Sequence, residues 1–280
     1  MLLQHKVAQA ISPALFFLAV LNAQDAREII RKSVELDQLN WLQMKHYTWT
    51  AFQTEKSLDS QGAVKSEKTE KWETVVLYGR PFRRMLERDG KPLTAEQQAA
   101  EQKKLDEKTA KLERETPDER ASRVAKEDKE REKDREFLRE IPDMFDFKIE
   151  REDQVDGHPV WVIAATPKSD YKPKHSDAKP LLKIKGTIWI DKAELQWVRL
   201  DAETIDTISF GLFLARLSTG STLHFEQMRV NDEVWLPKYE MVHGSARLGL
   251  VKKFSMEQTL TWSGYKKFQV DSKIVPADTQ

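Results

Sequence analysis

Cysteine is absent from all 280 residues. Its absence excludes a disulfide framework, a thiolate metal site, a cysteine nucleophile and a lipid-modified N-terminal cysteine. An excess of either charge is missing too, since 46 Lys and Arg face 46 Asp and Glu. A balanced chain whose longest charged cluster is mixed in sign carries no electrostatic footprint for nucleic acid. G-x-S-x-G, the P-loop, G-x-G-x-x-G and H-E-x-x-H are all missing. His46, His158, His175, His224 and His243 are scattered singly, and a lone histidine on a strand reads as structural. Acidic residues are abundant but fall on wet faces. No catalytic residue, metal site or cofactor is therefore assigned.

Long apolar runs are missing as well. The main one, Ala14 to Leu21, is shorter than the roughly 20 residues that cross a bilayer. It follows the weakly basic His5 and Lys6 and precedes Leu21-Asn22-Ala23, which reads as a signal peptide over 1–23 cut ahead of Gln24. The alternatives are an uncleaved anchor or a buried N-terminal helix. Cleavage leaves residues 24–280 as a single mature domain, periplasmic or secreted, with no transmembrane segment.

Helical spacing runs from Asp25 to about Lys45, with Ile30, Val34 and Trp41 on one face and Ile29 and Leu42 flanking it. Strand alternation follows. Tyr47 and Trp49 share one face of a strand that turns at Asp59 to Gly62 and returns through Trp72 to Tyr78. Phe82 to Arg88 resumes as a strand ending at Asp89-Gly90, with Arg83, Arg84 and Arg88 on its wet side.

Residues 94–140 differ in kind: mostly charged, without glycine, and without an aromatic residue before Phe137. Thr94 with Gln97, and Thr116 with Glu119, fit capping boxes, and Pro117 suits a first helical position. Two helices are predicted. Their apolar residues are sparse, and at 1.5 Å per residue each arm reaches roughly 30 Å if it projects from the body. A solvated insertion laced with i,i+4 ion pairs is the simpler reading, and a coiled-coil site for a protein partner the other.

Beyond it, strands are predicted at Phe145 to Glu152, Val160 to Ala165, Thr207 to Leu217, Ser221 to Val230, Glu233 to Val242 and Ala246 to Trp262, the last two divided at Gly244. The loop Pro167 to Pro180 reads as free surface, and the tail 275–280 as frayed. Between them, Lys183 to Glu203 carries two β-prone runs around the turn Asp191 to Glu194, a hairpin inside a larger sheet. Ile188 and Ile190 share a face there, as do Phe210, Leu212 and Leu214 on the strand predicted next. The fold expected is mainly β, α+β in composition: one curved antiparallel sheet, an incomplete β-barrel, covering the N-terminal helix. Aromatic side chains on nearly every strand are read first as sheet core. A concave face too large for one helix to fill, however, makes a cavity for something greasy.

Together these features resemble the LolA-like periplasmic carriers and outer-membrane lipoprotein-sorting proteins. The likeness lies in the signal sequence, the N-terminal helix, the first hairpin, Gly79-Arg80-Pro81-Phe82-Arg83-Arg84 leading to Asp89-Gly90-Lys91, and Gly186-Thr187-Ile188-Trp189-Ile190-Asp191 turning into Trp197-Val198-Arg199-Leu200. It implies an incomplete barrel around lid helices over an apolar cavity for acyl chains, with Arg80 or Arg84 matching an arginine that contacts the lid. The charged insertion departs from that pattern. The missing cysteine departs from the membrane-anchored members. The cavity is expected to be lined by Ile30, Val34, Trp41, Tyr47, Trp49, Ile188, Ile190, Phe210, Leu212 and Leu214. Its ligand would be lipid acyl chains or an acylated protein, bound without catalysis. The rival readings are an envelope scaffold gripping a protein through 94–140, and an enzyme whose site assembles only in three dimensions.

Overall fold

The computed structural model describes residues 13–78, 80–210, 215–248 and 252–268, with the side chains of 13–24, 41, 134, 210, 215, 247–248 and 252–253 outside that description. Residues 1–12 of the expected signal segment, and the expected tail 275–280, also lie outside it. Helix α1 runs unbroken from Pro13 to Met44, through the expected start at Asp25. Strands β1 (Tyr47–Leu58) and β2 (Val64–Leu77) form the long hairpin. Its turn is held by Asp59, whose carboxylate accepts from the amides of Gln61 and Ala63 at 2.8 Å. Then come β3 (Arg80–Arg88) and the two-residue β4 (Lys91–Pro92), joined by Asp89 and Gly90 at φ 52° and 72°, a left-handed turn that glycine adopts freely.

The charged stretch forms α2 (Ala95–Glu113) and α3 (Pro117–Arg135). Both capping boxes close: Thr94 accepts from the Gln97 amide at 3.3 Å and Thr116 from the Glu119 amide at 3.2 Å. A 3-10 segment (Glu136–Glu140) and the short α4 (Ile141–Met144) return the chain to the body. The remaining strands are β5 (Phe145–Val155), β6 (His158–Pro167), β7 (Ile184–Asp191), β8 (Trp197–Thr204), β9 (Ile208–Phe210), β10 (Ala215–Leu217), β11 (Thr222–Val230), β12 (Val234–Leu248) and β13 (Lys252–Lys267).

These strands form one open sheet in the order β4-β3-β2-β1-β13-β12-β11-β8-β7-β6-β5, each neighbouring pair antiparallel. The expected single antiparallel sheet over an N-terminal helix is the fold observed, and among the described strands the sheet does not close. The β7–β8 turn is built on Asp191, 1% exposed, which accepts from the amides of Ala193 and Glu194 at 2.9 and 2.7 Å. A bulge there sets Ile190 opposite Trp197 and Trp189 opposite Arg199. The two tryptophans therefore face opposite ways. Trp197 reaches α1 on the concave side, whereas Trp189 joins Val160, Val162, Val198 and Trp235 on the convex side under the Arg199 guanidinium, 4.4 Å from its ring.

Four expectations are corrected. The predicted strand Thr207 to Leu217 is two strands: β10 turns back on β9 with Ala215 opposite Phe210, and also pairs with the end of β12. Its alternation concealed the reversal because each short strand supplies its own apolar residues. Gly244 is no strand divider but lies inside β12 opposite Met256. A side chain at Gly244 would begin 2.6 Å from the Ser221 Cβ, so the residue is needed for close approach of two backbones. The loop before β7 is not free surface. Its Tyr171 hydroxyl donates to Glu140 at 3.0 Å, the amides of Lys174 and His175 donate at 2.8 Å, and the His175 ring lies 2.5 Å away. Burial alone would raise the Glu140 carboxyl, but these four contacts outweigh it and hold the group at about 2; burial and the Glu140 charge push Tyr171 up to about 12.

The fourth correction concerns the insertion, which lies down on the body instead of projecting. Helix α2 covers the β3 edge: Glu101 accepts from the Met85 amide at 3.4 Å, Lys108 sits 4.8 Å from the Phe82 ring, and Leu112 is 3% exposed. An open edge offers unpaired amides, and a carboxylate takes one of them. Helix α3 is anchored by Arg80 to Glu127 at 3.0 Å, Arg123 to the Tyr78 carbonyl at 3.2 Å, and Arg135 to Asp37 of α1. Counting apolar residues missed this because charge and cation–π contacts hold the helices down.

Candidate functional site

Helix α1 lies on the concave face, and its described side chains, from Asp25 on, meet different surroundings along its length. At its middle, Ala26 and Ile30 are buried to 0% and 2% exposure against Met144, Phe145, Phe147, Ile163, Ala165 and Ile190, with Val34, Ile188 and Trp197 packed beside them. Full burial of a side chain such as Ile30 stabilises by about 1.5–3 kcal/mol. Two turns beyond Ile30, Asp37 accepts from the Trp197 indole at 2.8 Å and pairs with Arg135. One turn on, Asn40 acts like a short strand toward Trp235, donating to its carbonyl and accepting from its amide at 2.8 Å.

Past Asp37 the packing opens. Leu39 and Leu42 remain 59% and 47% exposed, three apart on the helix and so on one face. They line a cavity of about 540 Å³ with Met44, Tyr47 and Trp49 behind, Val76 and Pro81 on the sheet side, and Ala125, Asp128 and Glu132 of α3 across from them. The floor is rigid. Tyr47, 1% exposed, packs on Val230, Val234 and Leu236, and its hydroxyl donates to Glu233. Trp49 leans on Tyr265 with ring centroids 6.2 Å apart. The Tyr265 hydroxyl donates to the Pro237 carbonyl at 2.5 Å, and burial pushes its phenol up. The roof is ionic: Lys45 lies 3.9 Å from Asp128, and Arg131 3.2 Å from Asp128. A pocket with an apolar floor and a charged roof suits an amphiphile.

The residues expected to line the site divide among three places. Tyr47 and Trp49 line the cavity. Ile30, Val34, Ile188 and Ile190 meet one another in the core beneath the middle of α1. The side chains of Trp41 and Phe210, and residues Leu212 and Leu214, lie outside the described residues. Arg80 touches α3 through Glu127, whereas Arg84 pairs with Glu73 on β2 and reaches Gln102 of α2 at 3.5 Å. Sequence reasoning missed Leu39, Val76, Pro81 and the α3 face. The Leu39–Leu42 pair carried a readable signal, lying off the Ile30–Val34 stripe. The histidines do not converge: His158 faces Asp191, His175 faces Glu140, and His224 sits between Asp201 and Glu226. Among the described residues no group of three His, Asp or Glu side chains is placed to hold a metal ion.

No protein-family model and no curated protein sequence matches the chain. Solved structures are similar to it, three among them being the following. A DUF1329 family protein from Desulfovibrio piger is 12% identical at a TM-score of 0.33, over 88% of this chain and 93% of that one. A LolA superfamily protein from Nitrosomonas europaea is 9% identical at 0.29, over 87% and 94%. An outer membrane lipoprotein-sorting protein domain from Vibrio parahaemolyticus is 10% identical at 0.29, over 88% and 95%. The last two carry the names to which the sequence resemblance pointed. TM-scores of this size carry no argument about the site, which rests on this chain's own residues.

Proposed function

We propose that this protein is a non-catalytic carrier that holds the acyl chains of a lipid or an acylated protein, in the periplasm or outside the cell. The observation that carries the reading is the cavity under the second half of α1, where Leu39 and Leu42 stay exposed toward Tyr47, Trp49, Val76 and Pro81. Leaving two leucines uncovered beside the half-buried Trp49 forgoes apolar burial. An acyl chain recovers it at about 0.8 kcal/mol per methylene. The charged rim keeps the mouth wet and offers ion pairs that part without breaking an apolar core. No helix among the described residues is long and apolar enough to cross a membrane. In this reading residues 94–140 are a roof over the 24–280 domain. Their inward charges are engaged with α1 and β3, which leaves less of them for a scaffold's grip on a protein partner.

The test is mass spectrometry of lipid extracted from protein purified without detergent and then incubated with phospholipid vesicles. A stoichiometric acyl lipid is the expected result. Protein that stays lipid-free after incubation overturns the reading.

A further inference from the structure

On the concave face Glu240 is a half-buried carboxylate that neither the core nor the roof engages. Trp197 lies on that face, because its indole donates to Asp37 of α1. Phe225 of β11 lies beside it with ring centroids 4.9 Å apart, and Trp262 of β13 lies 6.3 Å from Phe225 on the other side. Between β11 and β13 runs β12, whose Glu240 is paired in register with Phe225 and with Leu260. Directly paired residues put their side chains on the same face, with Cβ atoms about 5 Å apart. The Glu240 carboxylate therefore stands in a row of aromatic rings on the concave side, half-buried. Among the described residues it has no hydrogen bond and no ion pair, whereas Glu226 and Glu257, on neighbouring strands with the opposite parity, are each met by a lysine, at 3.3 and 2.9 Å. Burial pushes its carboxyl up, with no neighbouring charge contributing.

We propose that Glu240, with Phe225 and Trp262 beside it, is the subsite for a cationic ammonium head on the amphiphile that this protein carries. A carboxylate partly out of water costs free energy that a counter-charge restores. Flanking aromatic faces attract the same cation through their quadrupoles. An anionic head meets repulsion at that position, and a neutral head leaves the carboxylate unpaired. The proposal rests on the acyl-carrier reading and adds to it which end of the ligand is recognised, and where.

Three probes of equal chain length separate the two ideas: dodecyltrimethylammonium, dodecyl maltoside and dodecyl sulfate, each titrated calorimetrically below its critical micelle concentration. The wild-type protein should bind the ammonium probe at least about tenfold more tightly than the other two. In Glu240→Gln that preference should vanish while maltoside affinity is unchanged. Equal binding of all three by the wild type, or an ammonium preference that survives in E240Q, overturns the subsite and leaves the carrier reading standing. Failure of all three to bind overturns the carrier reading itself. The wild-type comparison needs no variant, so the proposal is tested even if E240Q does not fold.

Discussion

The two halves of the concave face are closed by different physics. Under the middle of α1, Ile30, Ile163 and Ile190 are at most 2% exposed, and apolar burial does the closing. Under the second half, Leu39 and Leu42 look into a cavity roofed by α3, and the roof is tied down through Arg80–Glu127, Lys45–Asp128 and Arg135–Asp37. Apolar burial is insensitive to salt and unforgiving of truncation. Ion pairs near the surface are worth little each and are screened. One half is thus built to stay shut, and the other to open at modest cost.

The largest expected difference is in stability. Ile190→Ala, at a fully buried position, should lower unfolding free energy by about 2–4 kcal/mol in urea titrations. A loss below 1 kcal/mol would break the comparison by showing the packed half to be loose. Next is Glu140→Gln, which removes the carboxylate that organises the loop beside that core, at a cost of about 2 kcal/mol near neutral pH. The folded carboxyl is held at about 2, below its ordinary 4.5. Its stabilisation is therefore complete above 4.5 and is lost as pH falls toward 2. Unfolding curves of wild type and E140Q should converge across that window, and a gap independent of pH would assign the effect to packing.

Smaller effects belong to the roof. Arg80→Ala removes one partly exposed pair and should cost about 0.2–1 kcal/mol. Raising salt to about 1 M, where the screening length is near 3 Å, should speed amide exchange in α2 and α3 while leaving β5 to β7 unchanged. Equal protection of both regions at both salt concentrations would mean that apolar contacts hold the roof. Smallest of all, Leu39→Ala should change stability by less than about 0.5 kcal/mol, because the side chain is already 59% exposed.

The packed half was the more legible in sequence. Helical spacing put Ile30 and Val34 on one face, and alternation put Ile188 with Ile190; the register then joined the two sets. Both capping boxes and the Asp191 turn were also legible, because each is a local hydrogen-bond pattern tied to particular residues. The roof was not. Arg80, Glu127, Lys45 and Asp128 lie far apart in the chain, and charge complementarity between distant faces leaves no periodicity to read. Glu240 was hidden for the same reason: it is one acid among the many of this chain, and only the pairing of β12 with β11 and β13 sets it beside Phe225. The reversal between β9 and β10 escaped because alternation describes faces and says little about where a strand ends.

The central claim, that the cavity beneath the charged roof takes acyl chains, is tested most directly by binding of a fluorescent fatty-acid probe to Trp49→Asp. Phe52→Asp serves as control, since Phe52 is 39% exposed and lies at the opposite parity of the same strand. A charge placed in the cavity wall should weaken binding by at least about tenfold, with F52D equal to wild type and both variants folded by circular dichroism. A folded W49D protein that binds the probe as tightly as wild type would contradict the account.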